Sequence, residues 1–221
     1  MTYRLLAAAA LLLFIAAPAH AQIDIGMTGS NGWQVSCAPI NGAVVGTTPC
    51  DGTFADVTEI TSGANGWLAG PWFAPVSSGS LGQVSGETPR WEMTFRKFLN
   101  FDAVQPNEVA QIDVSRMLLD NYFFGVSLNG HSFTPNWMGL AGAPLPPNGA
   151  NWTKAFQFSN RVDALVEGQN ELQFVIAGNG RTDMFALEGT ITRSVPEPGA
   201  LLLLFAGMGG IALVARRRRT V

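Results

Sequence analysis

Few side chains of this 221-residue chain have the types and spacing that catalysis requires. His131 is the single histidine between residues 22 and 195, and it follows Asn129-Gly130, a dipeptide typical of tight exposed turns. A serine-histidine-aspartate site on His131 would need a Gly-x-Ser-x-Gly nucleophile elbow, which the sequence lacks. No glycine-rich phosphate loop stands out either. The sequence therefore predicts no catalytic residue, no enzyme and no cofactor.

Carboxylates are the second group of candidates. A glycosidase-like pair needs a separation between two carboxyl groups that a sequence does not fix. Asp24, Asp163 and Glu188 are alternatives as ligands of a structural calcium ion, because Ca²⁺ prefers oxygen ligands. The favoured interpretation is that these carboxylates are exposed surface, so no metal site is predicted.

Cys37 and Cys50 are the only cysteines, and thirteen positions separate them. The spacing is not CxxC and no histidine lies nearby, so a redox dithiol and a metal pair are the weaker alternatives. In an oxidising compartment such an isolated pair is typical of a disulfide. Residues 38–49 are rich in turn formers, and closing this loop would stabilise the fold by about 3 kcal/mol.

The tryptophans are the better lead towards a ligand. They are Trp33, Trp67, Trp72, Trp91, Trp137 and Trp152. Trp67, Trp72 and Trp137 lie in segments rich in glycine and proline, where exposed rings can stack on sugars. These three are therefore candidate carbohydrate contacts. The alternative, which is favoured, is that they close the ends of the core, as Trp91 and Trp152 beside alternating strands are expected to do.

The elements that must position these residues are β-strands. Apolar and polar residues alternate with period two in five segments: 91–96, 111–115, 124–128, 172–176 and 184–191. Asn129-Gly130 predicts a hairpin turn, and helical periodicity is visible only weakly at residues 161–167. Many short strands predict an all-β fold, a β-sandwich or a barrel, with residues 22–90 rich in loops and residues 91–192 supplying the core strands.

The N-terminus has the parts of a secretory signal peptide. Arg4 precedes an apolar run from Leu5 to Ala17, and Ala19-His20-Ala21 is a small-x-small cleavage site. The run is too short for a stable membrane span, so residues 1–21 are predicted to be removed after Ala21. Signal peptidase and the export machinery are predicted partners, and an uncleaved membrane anchor is the alternative.

The C-terminus carries a second apolar segment between two polar signals. Pro196, Glu197 and Pro198 precede the uncharged residues 200–215, and a basic cluster follows, made of Arg216, Arg217, Arg218 and Arg219. A helix of that length measures roughly 24 Å, short of a hydrocarbon core of about 30 Å, although flanking arginines can snorkel. The arginine cluster predicts a cytoplasmic C-terminus. The segment therefore predicts one weak transmembrane helix.

This ordered pattern resembles the PEP-CTERM sorting signal of Gram-negative bacteria, and the resemblance covers residues 195–219, with the signal proper at 196–219. It implies that exosortase, a membrane-embedded enzyme similar to cysteine proteases, removes the tail near Pro196-Glu197-Pro198. It also implies transient anchoring in the inner membrane, then a location at the cell surface or in the extracellular matrix. Such systems usually accompany exopolysaccharide production. An ordinary membrane-anchoring tail is the alternative.

Residues 22–195 remain after both ends are removed, enough for one domain with a buried core. They hold fifteen of the sixteen acidic residues and eight of the thirteen basic residues, so their net charge is near −7, against −3 for the whole chain. An acidic surface repels nucleic acid, and nucleic acid is therefore excluded as a predicted partner.

Residues 91–192 resemble galactose-binding-like jelly rolls. The resemblance rests on a strand ending in Leu128-Asn129-Gly130 and on the pattern Gly168-x-Asn170-x-Leu172 some forty residues later. It implies that Gly168 and Asn170 form a corner and that Leu172 starts a strand on the inner face. Both motifs are structural, so they support the fold rather than a sugar-binding activity.

Three functional classes follow, in this order. The first is a non-enzymatic surface or matrix protein that exosortase sorts and that associates with exopolysaccharide. The second is a lectin-like carbohydrate-binding module that uses Trp67, Trp72 or Trp137. The third is an uncharacterised extracellular hydrolase, which the scarcity of catalytic residues disfavours.

Overall fold

Strands from both halves of the chain pair into antiparallel sheets. The computed structural model describes residues 22–29, 31–40, 50–60, 71–75, 81, 89–104, 106–120, 122–144, 151–179 and 183–194. The strands are β1 (Gln22–Asp24), β2 (Trp33–Pro39), β3 (Ala55–Asp56), β4 (Thr58–Ile60), β5 (Trp72–Ala74), β6 (Trp91–Phe101), β7 (Val109–Asp120), β8 (Tyr122–Leu128), β9 (His131–Phe133), β10 (Trp137–Met138), β11 (Phe156–Val162), β12 (Gly168–Gly178) and β13 (Met184–Ser194), with a 3₁₀ turn at Asn151–Thr153. Among these residues no helix has the length and hydropathy to cross a membrane.

The strands form two sheets, which we call sheet I and sheet II. Sheet I has the order β10-β11-β7-β13-β5-β4, and β1 also pairs with β13. Sheet II has the order β3-β2-β6-β12-β8-β9. The longest ladders lie at the centre of each sheet: β7 with β13, and β6 with β12. The predicted all-β class is therefore confirmed.

The inner faces of the two sheets share one hydrophobic core. Phe95 and Phe174 of sheet II have their ring centroids 4.9 Å and 5.4 Å from that of Phe185 in sheet I. Phe174 also lies 6.3 Å from Phe158 of sheet I. All four rings are fully buried, and aromatic pairs contribute about 0.5–1.5 kcal/mol each beyond the burial of their area. The arrangement is that of a sandwich.

The connections lie at two ends of the sheets. At the end that we call the terminal end, Gln22 and Ser194 lie beside the β6–β7, β8–β9 and β11–β12 connections. The opposite end is called the far end. Asp120 lies there at the end of β7, and Asp183 lies there just before β13. The end of β2 is at the same end, where Pro39 pairs with Trp91. This division decides which side chains lie close to the C-terminal tail.

Residues 22–90 contain more regular structure than the expected loops. β2 pairs with β6 over its whole length, from Trp33↔Lys97 to Pro39↔Trp91. Trp33, Val35 and Cys37 alternate into the core. The alternation is present in the sequence as Trp-Gln-Val-Ser-Cys, but the turn residues on both sides of it hide a strand of this length.

The other local predictions can be compared directly. The five alternating segments lie within β6, β7, β8, β12 and β13, as predicted. Asn129 and Gly130 have φ of 52° and 76°, as a tight hairpin turn requires. The weak helical pattern at 161–167 is wrong, because β11 runs to Val162 and no helix follows it before β12. The predictions for residues 1–21 and 196–219 lie outside the described residues.

Candidate functional site

Asn129 and Asn170 join the two motifs that the sequence singles out. The Asn129 side-chain amide donates hydrogen bonds to Oδ1 of Asn170 (2.7 Å) and to the Ala164 carbonyl (2.6 Å). Its Oδ1 accepts a hydrogen bond from the Glu171 N–H at 2.8 Å. The β8–β9 turn is therefore fastened to the start of β12 at the terminal end.

Asn170 is the centre of this corner and is 0 % exposed. Its amide donates to the carbonyls of Val166 (2.7 Å) and Gly168 (3.0 Å), and its Oδ1 accepts from the Val166 N–H (2.9 Å). Gly168 has a φ of 84°, a conformation that favours glycine. The polar groups of both asparagines are bonded to other groups of the protein, so we interpret the two motifs as a structural corner rather than a ligand site.

The far end is held by the predicted disulfide. Cys37 of β2 is bonded to Cys50, and their Cα atoms are 4.6 Å apart. The Gly52 N–H donates to the Cys37 carbonyl at 2.9 Å, and both cysteines are buried. The bridge therefore fixes the segment that leads into β3 against the central strands of sheet II.

Two buried carboxyl groups at the far end were missed by sequence reasoning. Asp120 ends β7 and is 5 % exposed, while Asp183 directly precedes β13 and is fully buried. Burial raises the pKa of Asp120 to about 8, and the charge of Asp183 adds to the rise. Within the described part of the chain, Oδ1 of Asp120 has no hydrogen-bond partner. Asp120 therefore keeps its proton at neutral pH.

A protonated carboxyl can act as a general acid, and such perturbed groups cluster at active sites. The surroundings of Asp120 do not support that role. The carboxyl group of Asp183 fills the space where a side chain at Gly178 would lie, so it packs against the end of β12. Both carboxyl groups are buried, and we assign the pair to the structure of the far end.

Trp137 lies on β10, at the edge of sheet I, rather than in a loop. The rings of Phe123, Phe158 and Phe156 meet it edge to face, with centroid distances of 5.3, 5.5 and 6.2 Å. The indole is half-buried. A pocket of 550 Å³ lies on the opposite face of β10 and is lined by residues 138–141, Lys154, Ala155 and Gln157, but not by Trp137. Of the candidate carbohydrate contacts, Trp137 is the one whose ring the structure describes as partly accessible.

The other tryptophans differ in their surroundings. Trp72 lies on β5, is 5 % exposed and packs with Ile60, Leu118 and Met184 in a small apolar cluster. Its ring offers no free face to a sugar, which favours the interpretation as core. Trp91 is buried, as predicted for a core residue. Trp67 and the side chain of Trp152 lie outside the described residues.

The carboxylates considered for calcium are not gathered into one site. Glu188 pairs with Arg116 at 2.8 Å, and Asp24 accepts the Gly26 N–H at 2.8 Å. Asp163 is exposed after β11. The described ranges contain no group of three or more His, Cys, Asp or Glu side chains that could hold a metal ion. His131 is exposed on β9.

A row of polar side chains crosses the outer face of sheet II. In register across its six strands stand Asp56, Gln34, Arg96, Gln173, Ser127 and Ser132, of which Ser127 is buried. With strands about 4.8 Å apart, the row spans roughly 24 Å. Nε and Nη2 of Arg96 donate to Oε1 of Gln34 at 3.1 and 3.0 Å, and its guanidinium lies 3.5 Å from the ring centroid of Phe54. The centre of the row is therefore held in place by the protein.

Both ends of the described chain lie side by side at the terminal end. Gln22 pairs with Thr192, and β13 remains paired as far as Ser194, opposite Val109. The first residue after the predicted signal-peptide cleavage site is therefore a strand partner of a residue near the tail.

Arg193 fastens the end of β13 to the β6–β7 connection. Its Nε and Nη2 donate to the two carboxylate oxygens of Glu108, both at 2.7 Å. Its Nη1 and Nη2 also donate to the carbonyls of Asp102 (3.1 Å) and Ala103 (2.6 Å). The hydrogen bonds that Arg193 donates to Glu108 raise the pKa of Arg193, and Glu108 is itself buried. Two-pronged charge-assisted bonds of this kind are among the strong ones.

The chain that leaves this clamp is where similarity to known proteins is found. Residues 194–219 match the PEP-CTERM protein-sorting motif. The match begins at the last residue of β13 and includes Pro196, Glu197 and Pro198 as well as Arg216 to Arg219. The motif implies export, membrane-anchored sorting through the C-terminus and an exosortase as the processing partner. None of the curated proteins matches this chain.

Proposed function

We propose that this protein is a non-enzymatic surface or matrix protein that exosortase releases from the inner membrane and that associates with exopolysaccharide. The observation that carries the proposal is the PEP-CTERM motif, which continues directly from the last strand of an all-β domain. The non-enzymatic part of the proposal rests on the sequence, which has no Gly-x-Ser-x-Gly elbow to accompany the single histidine of residues 22–195.

The polar row on sheet II supports association with a polysaccharide. Amide, hydroxyl and guanidinium groups are the partners that sugar hydroxyls and carboxylates use, and the row is long enough for several sugar rings. The hydrogen bonds between Arg96 and Gln34 hold two of its members in place, which lowers the entropy lost on binding. The exposed ring of Phe98 beside Arg96 adds an apolar surface at 4.8 Å from the guanidinium.

A lectin-like module is the second candidate, and two separate features of β10 favour it: the half-buried ring of Trp137 and the pocket on the other face of the strand. Gln157 and Lys154 supply polar groups at the edge of that pocket, and Met138 and Leu140 supply apolar surface. The corner formed by Asn129 and Asn170 supports a jelly roll similar to galactose-binding-like domains. That similarity supports the fold and does not identify a ligand, which the binding experiment below tests.

Mass spectrometry of the protein in a host with exosortase tests the sorting step. We expect the mature protein to lose residues 200–221 and to leave the inner membrane. Replacing Pro196, Glu197 and Pro198 with alanine should leave a longer, membrane-bound form. An intact C-terminus in both forms would remove exosortase from the proposal.

Sedimentation of the released protein with purified exopolysaccharide tests the second step. The variant Gln34→Ala/Gln173→Ala should reduce binding if the row is the contact. Trp137→Ala should reduce it if the indole is the contact, and Gln157→Ala should reduce it if the pocket is. Thr94→Ala, on the same face of β6, is the matched control. Equal binding by all variants would contradict both surfaces, and no binding by the wild type would contradict the association itself.

A further inference from the structure

The folded domain ends almost where the sorting motif begins. β13 keeps its pairing to Ser194, and Pro196 follows after the single residue Val195. A residue spans at most about 3.6 Å when extended, so the motif starts within roughly 7 Å of the last paired residue.

The chain before the motif is already paired on both of its edges. Thr192 stands opposite Gln111 of β7 and opposite Gln22 of β1. An enzyme that binds an extended peptide commonly does so by adding it as a strand, which requires free N–H and C=O groups on one edge. Residues 190–192 therefore offer no free edge while β13 is closed.

The side chain of Arg193 decides how easily this end opens. It holds Glu108 with two hydrogen bonds of 2.7 Å and closes on two carbonyls of the β6–β7 connection. Strand ends otherwise fray at little cost, because few contacts oppose their opening. A four-bond attachment at the second-last residue of β13 is the feature that opposes it here.

We propose that Arg193 and Glu108 are positioning residues for tail removal, and that their clamp limits the free chain available to the processing enzyme. While the clamp is closed, the enzyme meets the motif directly against the domain surface. When the clamp opens, the last residues of β13 become available and cleavage proceeds faster. The inference rests on the proposed removal of the tail by exosortase.

Pulse–chase labelling of the full chain in a host with exosortase measures the rate of tail loss. Glu108→Gln and Arg193→Gln should each accelerate it, by roughly tenfold if one charge-assisted contact is lost. The rate of tail loss in Arg193→Lys should lie between those of these variants and the wild type. Lysine keeps the positive charge but does not donate two parallel hydrogen bonds to one carboxylate. The matched control is Arg116→Gln, which breaks an ion pair between β7 and β13 at mid-length, away from the clamp.

A variant with a linker before the motif distinguishes an effect of the clamp on the length of free chain from a general loosening of the fold. Insertion of Gly-Ser-Gly-Ser-Gly-Ser between Ser194 and Val195 should accelerate tail loss in the wild type, and Glu108→Gln should then add nothing. Unchanged or slower processing in the clamp variants would overturn the inference. The inference would also be overturned if Arg116→Gln accelerated tail loss as much as the clamp variants do. It would be overturned as well if Glu108→Gln accelerated tail loss as much in the linker protein as in the protein without the linker. Failure of the wild type to lose its tail would instead contradict the proposed function.

Discussion

The two ends of the sheets are held by different kinds of interaction. At the terminal end, Asn170 and Arg193 satisfy backbone carbonyls through short hydrogen bonds. At the far end, the disulfide between Cys37 and Cys50 lies in the same domain end as the buried carboxyl groups of Asp120 and Asp183. We therefore expect the far end to respond to reductant and to a rise in pH, because the bridge and this carboxyl pair both lie there.

The largest effect is expected at the terminal end. Asn170→Ala removes four hydrogen bonds and should lower the free energy of unfolding by about 4 kcal/mol, at about 1 kcal/mol per bond. Urea denaturation of the released protein measures it. Asn100→Ala, at an exposed position of β6, is the control and should change stability by less than about 0.5 kcal/mol. Similar decreases in the free energy of unfolding for Asn170→Ala and Asn100→Ala would show that the corner contributes no more to stability than an exposed position.

Loss of the disulfide comes next. Cys37→Ala/Cys50→Ala should lower the free energy of unfolding by about 3 kcal/mol, because the unfolded chain gains the entropy of an open loop. Dithiothreitol should destabilise the wild type by the same amount and leave the variant unchanged. A reductant effect on the variant would show that something other than the bridge is sensitive.

The far end is also expected to show a pH dependence, whose size grows with the pH range that is sampled. The pKa of Asp120 rises from about 3.9 in the unfolded chain to about 8 in the fold, so the folded state binds the extra proton between these values. Stability is then complete below pH 4 and falls as the pH rises towards 8, by at most about 1.4 kcal/mol per pH unit. Thermal melting from pH 5 to pH 8 measures the slope.

Asp120→Asn should flatten that slope, since the amide does not ionise. Asp163→Asn, an exposed aspartate at the terminal end, should leave it as in the wild type. Equal slopes in wild type and Asp120→Asn would place the pH sensitivity elsewhere.

The smallest effect is expected midway between the ends. Arg116→Gln removes an exposed ion pair with Glu188 and should lower the free energy of unfolding by less than about 1 kcal/mol, and by less at high salt. Urea midpoints at low and high salt provide the measurement. A loss as large as that of Asn170→Ala would mean that the contrast between the ends is not the main feature of stability.

The sequence predicted the elements whose pattern is local. Alternation revealed β6, β7, β12 and β13, and Asn129-Gly130 revealed its turn, because both depend on neighbouring residues. β11 was missed, because Phe156-Gln157-Phe158 is followed by three polar residues that break the alternation.

The candidate sites were predicted less well, for a physical reason. The disulfide needed only two cysteines and an oxidising compartment. The pair Asp120 and Asp183, and the clamp between Arg193 and Glu108, depend on contacts between residues more than sixty positions apart. Charged residues at strand ends are usually exposed, so nothing in their local pattern marks these four as buried or paired.

The pairing of β1 with β13 joins the first and the last strand of the described domain. Gln22, Ile23 and Asp24 therefore cannot form their edge hydrogen bonds until β13 has been synthesised and is present on the same side of the membrane. In the proposed export, sheet I would thus be completed only when the chain just before the sorting motif has crossed.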